Sequence, residues 1–135
     1  MARYMLDTNI CIYLMKHHPP EVAARFAQCY VGDVVISAIT LAELEYGASC
    51  SGDQQARNRK ALDDFLQEVP AAPFDGAAAA VYGPTRLATR ERQRDALDKL
   101  IASHALALGV TLVTNNLADF AAYPGLQLEN WVGGH

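Results

Sequence analysis

A repeated change of period constrains this chain most: short apolar runs of strand type stop abruptly, and helical patterns follow. The first run, Tyr4-Met5-Leu6, ends at Asp7 and passes through Thr8-Asn9 into Ile10-Cys11-Ile12-Tyr13-Leu14. Strands alternating with helices along the whole length predict an α/β fold, a three-layer sandwich around a mostly parallel central sheet. In such sheets the carboxyl ends of the strands line the crevice where ligands bind. Asp7, beside Thr8 and Asn9, therefore reads as one wall of a site. The plainer alternative is that Asp7 only caps the following helix.

The same alternation continues through the chain. After the His17-His18-Pro19-Pro20 break, apolar spacing predicts a helix over 21–30, a turn at Gly32-Asp33 and a second strand at Val34-Val35-Ile36-Ser37. The adjacent histidines lack the spacing of metal ligands and read as loop residues. An amphipathic helix over 38–48 carries Ile39, Leu41 and Leu44 inward, with Glu43 and Glu45 on different faces, so that at most one serves a site. Asp53 is expected to cap a helix reaching about Glu68, whose Arg57, Arg59, Lys60, Asp63 and Asp64 form a solvated face. Two prolines make 69–74 a short edge strand. Asp75-Gly76 starts an alanine-rich helix towards Glu91, which Pro84 should kink or divide. A helix over 95–108 should bury Leu97, Leu100, Ile101, Ala105 and Leu108 and end at Gly109. Val110-Thr111-Leu112-Val113 is the most strand-like run; a short helix over 117–122 and a last strand over 126–129 follow it.

At 135 residues the chain suits a single domain, with 132–135 expected as a flexible tail. The first apolar stretch is short and contains Asp7, Asn9 and Lys16, which fits neither a signal peptide nor a membrane span. Three cysteines without metal-type spacing suggest reduced thiols and a cytoplasmic location, with Cys11 in core packing. A net charge of −4 argues weakly against a nucleic-acid binder. However, Arg86, Arg90, Arg92, Arg94 and Lys99 form a locally cationic stretch, and acids gathered in a site would change sign locally around bound cations.

Four acids occupy comparable places: Asp7 after the first strand, Glu43 on the helix after the second, Asp98 in the first turn of a long helix, and Asp119 (or the amide Asn116) after the strand ending at Val113. Buried uncompensated carboxylates cost several kcal/mol or shift their pKa. Clustered, they require a counter-charge. A hard divalent ion held by oxygens, Mg²⁺ with Mn²⁺ as a substitute, suits them better than zinc, because neither histidine nor cysteine accompanies them. One or two such ions can activate a water and neutralise charge on a phosphodiester.

The segments Met5-Leu6-Asp7-Thr8-Asn9, Thr40-Leu41-Ala42-Glu43-Leu44-Glu45-Tyr46-Gly47, Asp98-Lys99-Leu100-Ile101-Ala102-Ser103-His104-Ala105 and Leu112-Val113-Thr114-Asn115-Asn116 with Asp119-Phe120 occur in this order. Together they resemble the PIN-domain ribonucleases, and specifically the VapC toxins of bacterial toxin–antitoxin pairs. The resemblance runs from Tyr4 to Trp131. It implies a PIN-like fold in which Asp7, Glu43 and Asp98 are metal-coordinating catalytic acids, and Asp119 a further catalytic acid. Asn116 would be a metal ligand, with Thr8, Asn9 and Thr114 in support. Many members carry an aspartate where Asn116 stands; an amide accepts hydrogen bonds but carries no charge. Many also have a Gly/Pro-rich turn where Arg92-Gln93-Arg94-Asp95-Ala96-Leu97 stands here. Asp98 rather than Asp95 takes the third place because it alone has the matching spacing to Ile101, Ala102 and His104. The resemblance further implies a Mg²⁺-dependent endoribonuclease cleaving structured RNA such as tRNA through water activated by the ion. It also implies a homodimer and neutralisation by a VapB-type antitoxin that inserts a basic side chain among the acids.

Each residue keeps a plainer alternative. Glu43 suits a surface position, Asp98 a helix N-cap, and Asp119 a first-turn acid favoured by the helix dipole. His104 reads as a hydrogen-bonded core or interface histidine more than as a base. Arg86, Arg90 and Arg94 are either a solvated face or a contact for the RNA backbone. Two other functions compete. A haloacid-dehalogenase-type phosphohydrolase also starts with a strand ending in aspartate but wants a second acid at the position of Asn9. A catalytically weakened PIN-fold module, acting only through its antitoxin, is supported by Asn116 alone.

Overall fold

Five short strands lie side by side in the order β3-β2-β1-β4-β5, and each adjacent pair is parallel. They are β1 (Tyr4–Leu6), β2 (Val34–Ser37), β3 (Ala71–Ala72), β4 (Thr111–Val113) and β5 (Leu128–Glu129). The computed structural model describes residues 1–133. The helices are α1 (Thr8–Lys16), α2 (Pro20–Phe26), α3 (Ala38–Ser49), α4 (Gln55–Glu68), α5 (Gly76–Ala88), α6 (Ala96–Leu108) and α7 (Leu117–Phe120).

Alternation along the strands explains the three layers, because successive side chains leave a strand on opposite faces. Tyr4, Leu6, Val34, Ile36 and Val113 join a core with Ile10, Cys11 and Leu14 of α1, Val22 of α2, Leu44 of α3 and Leu62 and Phe65 of α4. Met5 and Leu112 face the other way, onto Ile101, Ala102 and Ala105 of α6, with Phe120 of α7 and Tyr123. Both faces of β1 are thus covered, as a parallel sheet requires. The chain leaves β1 towards β2 and β3 on one side and returns to β4 on the other. That reversal opens the crevice at the carboxyl ends of β1 and β4.

Several boundaries depart from the sequence expectations. Helix α2 stops at Phe26 rather than near Tyr30. Asp53 makes no capping bond; it lies inside a 3₁₀ turn over Gly52–Gln54, and α4 starts at Gln55. Helix α5 runs through Pro84 as one element and stops at Ala88 instead of continuing to Glu91. Its buried Thr89 turns back, the hydroxyl donating to the Thr85 carbonyl at 2.8 Å. On α6 the buried side is rotated from the expected stripe: Lys99, Ser103 and His104 are buried, while Leu97 is 46% and Leu108 41% exposed. Packing against both the sheet and α5 explains this, since a helix between two layers buries more than one stripe.

Other expectations hold. Asp75 caps α5 by accepting from the Ala78 N–H at 3.1 Å, Gly109 ends α6 at φ 68°, and β3 is an edge strand of two residues. Next to the buried Trp131, the Gly133 N–H donates to Glu21 at 3.0 Å. The tail expected over 132–135 is therefore tied down at its start, with Val132 packed against the core and Gly133 bonded to Glu21, and residues 134 and 135 lie outside the described residues. Among the described residues no helix is long and apolar enough to cross a membrane.

Candidate active site

The site is built where β1 and β4 end. The backbone N–H of Asp7 still donates to Val113 at 2.8 Å, so the carboxylate leaves the sheet at its last ladder bond. One oxygen of Asp7 accepts from the Thr8 N–H at 2.8 Å, capping α1. The other accepts from the Thr114 hydroxyl at 2.8 Å, from the end of β4. Capping and site placement are therefore the same geometry rather than rivals. Thr114 is fully buried and also accepts from the Asn116 N–H at 3.0 Å, which fixes the turn into α7.

Glu43 approaches from α3. Its carboxylate accepts from the Thr8 hydroxyl at 3.0 Å, so Thr8 ties two acids of different elements together. Glu45, two residues on, faces α4 and pairs with Arg59. The separation of the two glutamates onto different faces follows from the 100° advance per helical residue.

Asp98 lies half-buried in the first turn of α6, as the spacing predicts. Burial, then the charges of Asp7, Asp119, Asp95 and Glu43, push its carboxyl up to about 6. Burial also raises Asp7, against the lowering effect of its bonds from Thr114 and Thr8. Five carboxylates thus share one field, and Asp98 feels the rest most strongly. Asp119, exposed in the first turn of α7, belongs to that field.

The remaining candidates are placed as follows. Asn9 carries a buried side-chain oxygen without a hydrogen-bond partner. Asn116 is exposed at the start of α7 and makes no side-chain cap bond. His104 is a core histidine: its Nδ1 is 2.8 Å from the Ser37 hydroxyl, its ring meets Phe74 edge-on, and burial holds its pKa below the ordinary value. Arg86, Arg90 and Arg94 are exposed and form no ion pair among the described residues. Sequence reasoning missed the partners of the buried Asp95, namely Lys99, Arg92 and Tyr123. The i,i+4 spacing of Asp95 and Lys99 was the available signal.

The donor set suits a hard divalent ion. The groups the hydrogen bonds bring together here are carboxylate and hydroxyl oxygens, and burial and the neighbouring acids disfavour the charge on Asp98. Among the described residues no three His, Cys, Asp or Glu side chains converge closely enough to hold one ion together. An ion such as Mg²⁺, which keeps several waters and takes one or two direct carboxylates, does not need three.

A family model for the PIN domain matches residues 4–126. The chain is 41% identical over 133 residues to ribonuclease VapC2 of Rickettsia felis, covering 95% of this chain and 97% of that protein. It is 39% identical over 133 residues to the tRNA(fMet)-specific endonuclease VapC of Shigella flexneri, covering 97% and 99%. The chain belongs to the VapC family of PIN-domain ribonucleases. Solved VapC-family assemblies superpose along nearly its whole length. The crystal structure of VapBC2 from Rickettsia felis bound to a DNA fragment from their promoter matches with a TM-score of 0.86 at 40% identity, covering 95% of this chain and 98% of that one. DNA-bound VapBC from Salmonella typhimurium matches with a TM-score of 0.88 at 37% identity, covering 97% and 99%.

Proposed function

We propose that this chain is a Mg²⁺-dependent endoribonuclease, the toxin of a toxin–antitoxin pair, cleaving a structured RNA of the tRNA class. The observation that carries the reading is Asp7, held by Thr8 and Thr114 near an Asp98 that burial and the surrounding acids raise to about 6. Asp7, Asp98 and Glu43 would hold the ion, with Asn116 or Asp119 on its far side. When bound, the ion supplies activation of a water and neutralisation of charge on the phosphodiester. Thr114 and Thr8 keep the Asp7 carboxylate oriented, and Thr8 does the same for Glu43. Arg86, Arg90 and Arg94 present unpaired charge to an RNA backbone, so replacing all three with alanine lowers the salt dependence of RNA binding by about one unit of slope per lost phosphate contact.

A VapB-type antitoxin has a fitting surface. A groove of about 450 Å³ runs between α1, α3 and α4, apolar at Ile12, Met15, Leu44 and Leu62, and reaches Thr8 and Glu43. An apolar segment lying there would bring a basic side chain to the acids. Leu87 and Leu97, 63% and 46% exposed on α5 and α6, support a homodimer.

The deciding assay is cleavage of total tRNA with and without Mg²⁺, beside Asp7→Asn prepared identically. Metal-dependent cleavage by wild type alone is expected. Equal cleavage by both proteins would mean a contaminating nuclease and remove the enzymatic reading, leaving a binding module.

A further inference from the structure

Three residues before Asp98 a second carboxylate has cationic surroundings. Asp95 is 7% exposed; one oxygen accepts from Lys99 Nζ at 3.0 Å, the other from the Tyr123 hydroxyl at 2.6 Å and from Arg92 Nε at 3.2 Å. Lys99, equally buried, also donates to the Arg92 carbonyl at 3.0 Å. Arg92 then reaches beyond the network: its Nη2 donates to the Asp119 carbonyl at 3.2 Å, with its guanidinium 5.8 Å from the Tyr123 ring.

These bonds join the loop before α6, α6 itself and the α7–β5 segment. Asp98 follows Asp95 by about one helical turn, and Asp119 is held through its own main chain. Two like charges on separate elements drive those elements apart, and α7 has only four residues. A helix that short holds no position by itself. Buried ion pairs add little net stability over apolar packing, but one with satisfied partners specifies a single geometry. Asp98 and Asp119 form no ion pair among the described residues; the network meets the first through Asp95, three residues before it on the same chain, and the second through the Arg92 bond to its carbonyl.

We infer that the Asp95–Lys99–Arg92–Tyr123 network is a positioning device that keeps Asp98 and Asp119 at one separation, ready for a shared divalent ion, and that Arg92 is its bridging residue. The inference rests on the metal reading of the site. It concerns residues that stand where the Gly/Pro-rich turn of many relatives is expected, so it is specific to chains that carry Asp95 and Arg92 together.

The test is Mn²⁺ binding by calorimetry on the full chain, with thermal midpoints in parallel, for wild type, Arg92→Ala, Arg92→Lys and Tyr123→Phe. Arg92→Ala is expected to weaken Mn²⁺ affinity about tenfold or more, as loss of a residue supporting a metal ligand does. Arg92→Lys keeps the charge but not the fork that serves both Asp95 and the Asp119 carbonyl. It should hold the midpoint near wild type while leaving the affinity low. Tyr123→Phe should lose affinity by a few fold, and RNA cleavage by the variants should fall in kcat with KM unchanged. Variants that bind Mn²⁺ within about twofold of wild type while their midpoints drop would make the network purely structural and overturn the inference. Wild type that binds no Mn²⁺ would overturn the metal reading itself, and the inference with it.

Discussion

Asp95 and Asp98 stand one turn apart at the start of α6, yet their surroundings are opposite. Asp95 is enclosed by Lys99, Arg92 and Tyr123. Burial alone would raise it, but the hydrogen bonds from Tyr123, Lys99 and Arg92 outweigh burial and hold it below the usual carboxylate range. Asp98, half-buried, faces burial and four further acids, and rises to about 6. The first carboxylate is neutralised within the chain and serves the fold. The second is left without a cation, and its charge is available to something the chain does not itself contain. What separates the two acids is whether the protein supplies the counter-charge.

Substitution at the two positions gives the sharpest contrast. Asp98→Asn is expected to reduce Mg²⁺-dependent RNA cleavage on the order of 10³-fold, because the variant loses a charged metal ligand, while its thermal midpoint stays level or rises. Asp95→Asn should weigh chiefly on stability, costing about 3–5 kcal/mol by leaving Lys99 buried without its charged partner, with a smaller loss of cleavage as the network beside Asp98 loosens. Cleavage and calorimetric melting of both proteins check the pair. A stability loss at Asp98 equal to that at Asp95 would erase the distinction.

The comparison also has a pH signature. Asp98, raised above its ordinary 3.8, stabilises the folded chain relative to its charged form below that value, and loses this as pH rises through about 6. Metal-free wild type should therefore melt below Asp98→Asn at pH 7, and the gap should narrow by pH 5. Referring wild type to the variant cancels His104, whose lowered pKa works in the opposite direction over the same interval. Asp95, depressed, contributes stability above the ordinary carboxylate value and loses it only in stronger acid, as pH falls through its folded value. A constant gap between pH 5 and 8 would contradict the raised Asp98.

Smaller effects test the supports. Thr114→Val removes the 2.8 Å donor to Asp7; cleavage should fall about tenfold, with the acid limb of its pH profile shifted upward because Asp7 loses a bond that lowers it. At the low end, Glu45→Gln breaks an exposed pair with Arg59 on the far face of α3 and should change neither cleavage nor melting measurably. A cleavage defect there would mean that α3 serves the site through more than Glu43.

Much of this was legible from residue order. The run Tyr4-Met5-Leu6 ending at Asp7, and Val110 to Val113 ending at Thr114, mark strands and their carboxyl ends without reference to any contact. Glu43 and Glu45 separate by helical geometry alone. Element ends were less legible, because local signals compete: Asp53 has a capping residue's chemistry, yet Gly52 at φ 56° opens a 3₁₀ turn that moves the helix start to Gln55. Pro84 was expected to kink or divide its helix, and α5 runs through it undivided against α6. The buried side of α6 was read in part, right at Ile101 and Ala105 and wrong at Leu97 and Leu108, because periodicity finds one apolar stripe and is blind to Lys99, which is buried with its ion pair.

Residue order alone determined the strand–helix alternation, the acids at the strand ends and hence the family, since these depend on neighbours within a few positions. Tertiary structure alone decided which acid is free and which is bound. Asp95 and Asp98 are the same residue type on the same turn, and the i,i+4 spacing to Lys99 marks only one possible partner of the first. Tyr123, 28 residues on from Asp95, and Asp7, from the far end of the chain, supply the fields that do, and electrostatic energy depends on distance in space rather than along the chain.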